Sequence, residues 1–179
     1  QLHVEPVFLA VRGSFHGKLV NTVQLTYGKQ YRKPFARFGL NVEFIDPQQP
    51  QQLQELPARH IRHWLSLEWN GETLQVRREA FSAITAVLLE PIQGEGGINE
   101  FANEFYLGLR RLCNEQQCPL IIDEVQSGFG RTGTLLGASH FNLQGDYYCL
   151  SKALGGGLMK IAATVIRASH YENDFSYIH

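Results

Sequence analysis

The run Leu120-Ile121-Ile122-Asp123-Glu124 sets two carboxylates at the end of an apolar stretch, where a strand hands side chains to a ligand. Three chemistries use a carboxylate placed in this way. The first is magnesium binding in a nucleotide hydrolase. It requires a G-x-x-x-x-G-K-[ST] phosphate loop, and no lysine of the chain lies in one. The second is dinucleotide binding, because Gly128-Phe129-Gly130-Arg131-Thr132-Gly133 fits G-x-G-x-x-G. Here Asp123 to Ser127 separate the glycines from the strand, and the next acid, Asp146, stands 13 residues past Gly133 where about 20 are wanted. The third centres on Lys152, which follows the apolar run Tyr147–Leu150 and precedes Gly155-Gly156-Gly157. An amine that joins an aldehyde cofactor as a Schiff base needs a carboxylate for the ring nitrogen, an aromatic over the ring face and a donor for the phenolic oxygen. Asp123, Phe15 and Gln126 have those chemistries, and a pyridinium is the cation that a strand-terminal Asp against an apolar wall requires. A lone lysine in a turn is ordinarily a solvated one, so its company carries the reading.

These residues need a scaffold that delivers them to one place. Val7–Val11, Val42–Ile45, Ile84–Leu89, Pro119–Ile122, Tyr147–Leu150 and Ala162–Ile166 read as short strands, several of them continuously apolar. Between them, Phe101 to Glu115 carries apolar residues at 101, 105, 109 and 112, one face of a helix. The pattern predicts an α/β domain with a mainly parallel sheet and helices on both faces. Ser14-Phe15-His16-Gly17, Glu90 to Gly97, Asp123 to Gln126 and Ser151-Lys152 each follow a strand and can converge at its carboxyl edge. Residues 47–79, with a Gln-rich run followed by Trp64 and Trp69 on a helix or hairpin, read as an irregular excursion from that sheet.

Composition narrows the partners. Lys+Arg number 16 against 17 Asp+Glu, a net charge of −1, which removes the electrostatic basis for nucleic-acid or anionic-membrane binding. Charged residues are 18%, below the roughly 25% of an average soluble protein, so much of the surface is expected to be covered by burial or a partner subunit. No apolar run approaches a membrane span of about 20 residues, and Gln1-Leu2-His3-Val4-Glu5-Pro6 has no leader-like character. Cys113, Cys118 and Cys149 are odd in number and point to a reducing compartment. His60 and His63 lie far from them and read as surface histidines on a helix, so no metal site is expected.

Ile121 through Gly133, together with Asp146 through Lys152 to Gly157, resembles the signature of class III (omega) aminotransferases, pyridoxal-phosphate enzymes of fold type I. Glu90-Pro91-Ile92-Gln93-Gly94-Glu95-Gly96-Gly97 and Ser14-Phe15-His16-Gly17 are similar to further family motifs and occur in the family's order. The resemblance implies that Lys152 forms the Schiff base with pyridoxal 5′-phosphate and shuttles the substrate proton. It implies that Asp123 keeps the pyridine nitrogen protonated, Phe15 stacks on the ring with His16 beside it, and Gln126 bonds the ring hydroxyl. Glu95 matches a glutamate that gates substrates by pairing with a mobile arginine, and Glu90 supports the site from behind. The implied reaction moves an amino group between an amine or amino acid and a keto acid or aldehyde, in a cytoplasmic homodimer. Aminomutases, decarboxylases and lyases share these motifs and stay open as alternatives.

Lys18, Gly145 and Leu158-Met159-Lys160-Ile161 depart from common family residues and bear on the substrate side. Neither the family's phosphate-binding loop nor its small carboxy-terminal domain has a counterpart in the sequence. Residues 1–179 are therefore expected to be the central part of the cofactor-binding large domain, and non-catalytic in isolation.

Overall fold

Continuous apolar strands suit a mainly parallel sheet, and that is how the chain folds. A computed structural model describes residues 4–171; Gln1–His3, on which the absence of a leader partly rests, lie outside them. In chain order the elements are β1 (Val7–Val11), the single-turn α1 (Lys29–Arg32), β2 (Asn41–Ile45), α2 (Gln52–His60), β3 (Ile61–Trp69), β4 (Leu74–Ser82), β5 (Ile84–Leu89), α3 (Asn103–Gln116), β6 (Leu120–Asp123), β7 (Tyr147–Leu150) and β8 (Ala163–Ile166). Strands run in the order β2-β1-β5-β6-β7-β8, parallel throughout except for β8, which pairs antiparallel with β7.

One sheet face holds the core. Leu9, Val87, Leu89, Leu120 and Ile122 pack there with Phe105, Tyr106 and Leu109 of α3 and Leu53 and Leu56 of α2. The apolar stripe of α3 turns Phe105 and Leu109 inward together, and Tyr106, one position on from Phe105, widens that face. Among the described residues, α2 and α3 share this face. The opposite face shows half-buried Phe8, Leu88, Ile121 and Asp123, where the sequence also predicts helices. The helix α3 ends in a Schellman turn: Cys118 N–H bonds Cys113 C=O (3.0 Å), Gln117 N–H bonds Asn114 C=O (3.3 Å), and Gln117 takes φ 52°.

The excursion at 47–79 requires a correction. It is regular, with α2 followed by a nine-pair antiparallel hairpin of β3 and β4 that continues to Ser82. Apolar and polar residues alternate along Leu65-Ser66-Leu67-Glu68-Trp69, which is the period of a strand. The histidine reading is corrected with it. His63 lies on β3, and His60, the last residue of α2, bonds Glu43 through Nε2 (2.6 Å).

Asp146 fastens the sheet's far edge. It is 2% exposed; Oδ2 accepts from Leu120 N–H (2.8 Å) and Arg110 Nη1 (2.7 Å), and Oδ1 faces Arg167 (3.5 Å) and His170 (3.4 Å). Burial pushes its acidity down, but the Leu120 amide and the Arg110 guanidinium outweigh it and hold the carboxyl below its usual range. A carboxyl depressed in the folded state stabilises above its unfolded value and loses that effect as pH falls through the folded one. Asp146→Asn is therefore expected to cost about 2 kcal/mol at pH 7 in urea denaturation. The difference should shrink below about pH 3.5; equal midpoints at pH 7 would exclude this role.

Candidate functional site

Asp123 is the last residue of β6 and Cys149 is its neighbour on β7, so Lys152, three residues beyond Cys149, enters at the same carboxyl edge of the sheet. On β6, Leu120 and Ile122 enter the core, and Ile121 and Asp123 take the other face. Asp123 therefore stands on the face away from α3.

Its carboxylate is held on two sides. His16 Nδ1–H donates to Oδ2 (2.9 Å), and Val125 N–H donates to Oδ1 (3.1 Å). The His16 side chain is 2% exposed and that of Asp123 15%. The loop after β1 fixes His16 in turn, because its N–H donates to Thr26 Oγ1 (2.9 Å) and the Ser14 hydroxyl donates to Leu25 C=O (2.8 Å). His16 Nε2 is buried with no hydrogen-bond partner among the described residues. Nδ1 is taken by Asp123, which leaves Nε2 open for a polar group from outside these residues.

Phe15 precedes His16, and Glu90 sets its position. Glu90 Oε2 accepts Phe15 N–H (2.9 Å) and Oε1 accepts Gly94 N–H (3.3 Å). Burial pushes the Glu90 pKa above its ordinary value, opposed by the Phe15 amide, His16 and the Gly94 amide, while Asp123 adds to the rise. The ring of Phe15 meets Tyr31 edge-on, with centroids 5.7 Å apart.

Lys152 Nζ donates to Gln126 Oε1 at 2.5 Å. Lys152 sits at φ 45°, a left-handed conformation that costs a non-glycine residue roughly 1–2 kcal/mol and persists only where the surroundings enforce it. The Gln126 amide lies against Gly94, where a Cβ would overlap it, so a side chain at position 94 would displace that amide from its place beside Lys152. A cavity of about 350 Å³ opens beside them, lined by Gly94, Gln126, Ser127, Arg131 and Thr132. A larger one, about 820 Å³, lies between Arg12, Asp46 and Phe101 and contains none of Asp123, Gln126 or Lys152. Glu95 is exposed in the loop between Gly94 and Gly97.

The residues predicted from sequence thus fall in two contact groups at one sheet edge, His16–Asp123 and Lys152–Gln126, with Phe15 tied in through Glu90. Glu124 was given no role. It is 1% exposed, and its carboxylate accepts Ser127 Oγ–H (2.6 Å), Gly137 N–H (2.9 Å) and Ala138 N–H (2.8 Å), closing residues 124–138 into one loop. The signal for it was period two, since adjacent acids at a strand end face opposite ways. The G-x-G-x-x-G match lies inside this loop, with Gly130 (φ 82°) and Gly133 (φ 90°) in turns. No helix starts there to receive a pyrophosphate.

A carboxylate, an amine, an amide and an aromatic at one strand edge suit a planar, cationic, phenol-bearing ring, and the open His16 nitrogen is consistent with a further polar group arriving there. Among the described residues no group of His, Cys, Asp and Glu forms a metal cluster, and no helix is long and apolar enough to cross a membrane.

Comparison with known proteins bears on the same residues. The family model "Aminotransferase class-III" matches residues 4–174. A putrescine aminotransferase from Pectobacterium atrosepticum is 35% identical over 158 residues, covering 88% of this chain and 30% of the relative. The ornithine aminotransferase of Toxoplasma gondii superposes with a TM-score of 0.72 at 26% identity, over 94% of this chain and 34% of that one. A second structure of that enzyme, crystallised with oxidized glutathione, has the same score and coverage and holds PLP at partial occupancy in its active site. The chain spans about a third of the length of these relatives.

Proposed function

The chain belongs to the class-III aminotransferase family, and on that premise we propose that the complete protein is a pyridoxal-phosphate-dependent transaminase whose catalytic amine is Lys152. The observation that carries this is the Lys152–Gln126 contact at 2.5 Å, made by a lysine in a left-handed conformation at the strand edge that Asp123 also occupies.

The residues fit the cofactor role by role. When bound, pyridoxal phosphate supplies an electron sink for the negative charge left where a substrate carbon gives up its proton. Asp123 holds a proton on the ring nitrogen, and His16, donating from Nδ1, fixes the rotamer and keeps the carboxylate oxygens turned outward. Gln126 orients the ring hydroxyl and, before that, the lysine amine. Phe15 covers one ring face and excludes water from it, its backbone set by Glu90. Once uncharged, the Lys152 amine takes the substrate proton and returns it. Glu95, exposed in a glycine loop, is the residue we assign to sorting acidic from neutral substrates by pairing with an arginine. The substrates on this reading are an amine or amino-acid donor and a keto-acid or aldehyde acceptor. The low charge content and the free Cys113, Cys118 and Cys149 support a homodimer in a reducing compartment, the cytoplasm.

The test is Asp123→Asn in the complete protein. It keeps the size of the side chain and an acceptor for His16 but removes the charge that holds the ring proton. Amine transfer is expected to fall at least about 100-fold, with the fold intact by circular dichroism. Unchanged turnover would exclude the assignment.

A further inference from the structure

The loop after β1 fixes the backbone of Phe15, but a fixed backbone does not fix a ring. Glu90 holds Phe15 N–H, and the flanking Ser14 and His16 are held by Leu25 and Thr26. Rotation of a phenyl group about χ2 is broad, so the plane of the ring is set by what packs on it. Among the described residues the aromatic partner of Phe15 is Tyr31, at a centroid distance of 5.7 Å and an interplanar angle of 79°. Edge-to-face is an arrangement that aromatic pairs prefer, and each ring resists rotation of the other.

Tyr31 stands on a base tied to the same loop. Tyr27 N–H donates to Ser14 C=O (2.8 Å), and Thr26 Oγ1 donates to Gly17 C=O (3.1 Å) while accepting His16 N–H. Residues 14–17 and 25–27 are thereby laced together. Tyr31 N–H closes the turn of α1 onto Gly28 C=O (3.0 Å), and a Cβ at Gly28 would stand 2.8 Å from Tyr31 Cδ2. Phe44 of β2 anchors the turn: Tyr27 meets it edge-on at 5.2 Å, and the Arg32 guanidinium lies 4.8 Å from its centroid. Lys18 Nζ lies over the Tyr31 ring, 5.5 Å from the centroid. Both contacts of Tyr31, with Phe15 and with Lys18, are made by its ring.

We propose that Tyr31 is a positioning residue of the site: it sets the plane of the Phe15 ring, and thereby how closely Phe15 covers the face of pyridoxal phosphate. Lys18 steadies Tyr31 from the ring face, a cation–π contact. The inference rests on the transaminase reading, which gives Phe15 its place on the cofactor, but that reading makes no use of Tyr31.

The test titrates pyridoxal 5′-phosphate into the complete apoprotein by fluorescence, with the visible dichroic band of the bound cofactor as a second readout. Tyr31→Leu keeps the apolar bulk without a ring plane. It is expected to weaken binding about tenfold and to diminish the band, with the far-ultraviolet spectrum retained. Tyr31→Phe should restore both readouts. Added to Phe15→Ala, Tyr31→Leu should cost little more, because its effect passes through that ring. A Tyr31→Leu protein that binds within about twofold of the parent, with its band intact, would overturn the inference. So would the full loss on top of Phe15→Ala, or a Tyr31→Phe protein as weak as Tyr31→Leu. None of these results touches the transaminase reading. That reading falls, and takes this inference with it, if the parent binds no pyridoxal phosphate or carries it on another lysine.

Discussion

Lys152→Ala in the complete protein is expected to reduce amine transfer by about 10⁴-fold, the largest loss of any single substitution in the site. The amine has two duties under the proposed function, nucleophile toward the cofactor aldehyde and carrier of the substrate proton, and alanine ends both. Lys152→Arg separates charge from chemistry. A guanidinium keeps the positive charge beside Gln126 but does not give up its proton at neutral pH, so it is expected to be as inactive as alanine. Substrate affinity should change far less than turnover, because the lost interactions are those of the reacting state. Borohydride reduction of the cofactor-loaded protein, followed by peptide mapping, should place the label on Lys152. Label on Lys18, Lys29, Lys33 or Lys160 would sink the assignment, as would an alanine variant with more than about a hundredth of parental turnover.

The strands and α3 were legible because a parallel sheet and an amphipathic helix write their periods directly into the apolar pattern. Val7–Val11, Ile84–Leu89 and Tyr147–Leu150 match to the residue, and α3 is displaced by two residues at its start. The displacement has a cause. Phe101 accepts the stripe's hydrophobic role from outside the helix, packing edge-on against Phe105 at 5.4 Å while its N–H donates to Tyr106 Oη. The segment after Pro47 was less legible. Its Gln-rich opening hides the pair Leu53 and Leu56, which suffices to seat α2, and Pro57 inside that helix argues against one. In the site, residue types and order pointed to Asp123, Gln126 and Lys152 as a group. The partner arrangement did not follow from sequence. The His16–Asp123 bond joins residues 107 apart and the Phe15–Glu90 bond residues 75 apart. No local pattern encodes contacts made only when separate strand ends meet.

The long-range contacts also explain why support and chemistry are intermingled at this edge. Glu90 and Glu124 each follow a strand, each is nearly sealed from water, and each spends its oxygens on donors of a loop that carries a predicted site residue. A carboxylate gathers several N–H groups with charge-assisted bonds where a neutral acceptor would gather fewer. Two loops that would otherwise be mobile are thereby held to the sheet, and Phe15 and Gln126 inherit that rigidity.

Glu124→Ala is the substitution from which the largest loss of stability is expected, about 4 kcal/mol or more in urea denaturation. Three donors converge on this carboxylate, two of them backbone amides of Gly137 and Ala138, both buried where water does not replace the lost acceptor. Close packing prevents the loop from relaxing around the gap: a Cβ at Gly137 would stand 2.8 Å from Ser127 Cβ, and one at Gly128 2.8 Å from Glu124 C=O. Glu124→Gln should cost about half as much. Its amide oxygen still accepts one backbone N–H, and the Ser127 hydroxyl can turn to accept from the new amide, but the second backbone N–H meets a donor. Because Gln126 lies within the same loop, both variants should also hold pyridoxal phosphate more weakly, alanine more than glutamine, by fluorescence titration of the cofactor. That ordering separates a loop anchor from a residue that touches the reacting atoms, for which the isosteric amide would be no milder than alanine. An alanine variant within about 0.5 kcal/mol of the parent would show that the 124–138 loop keeps its shape without the carboxylate.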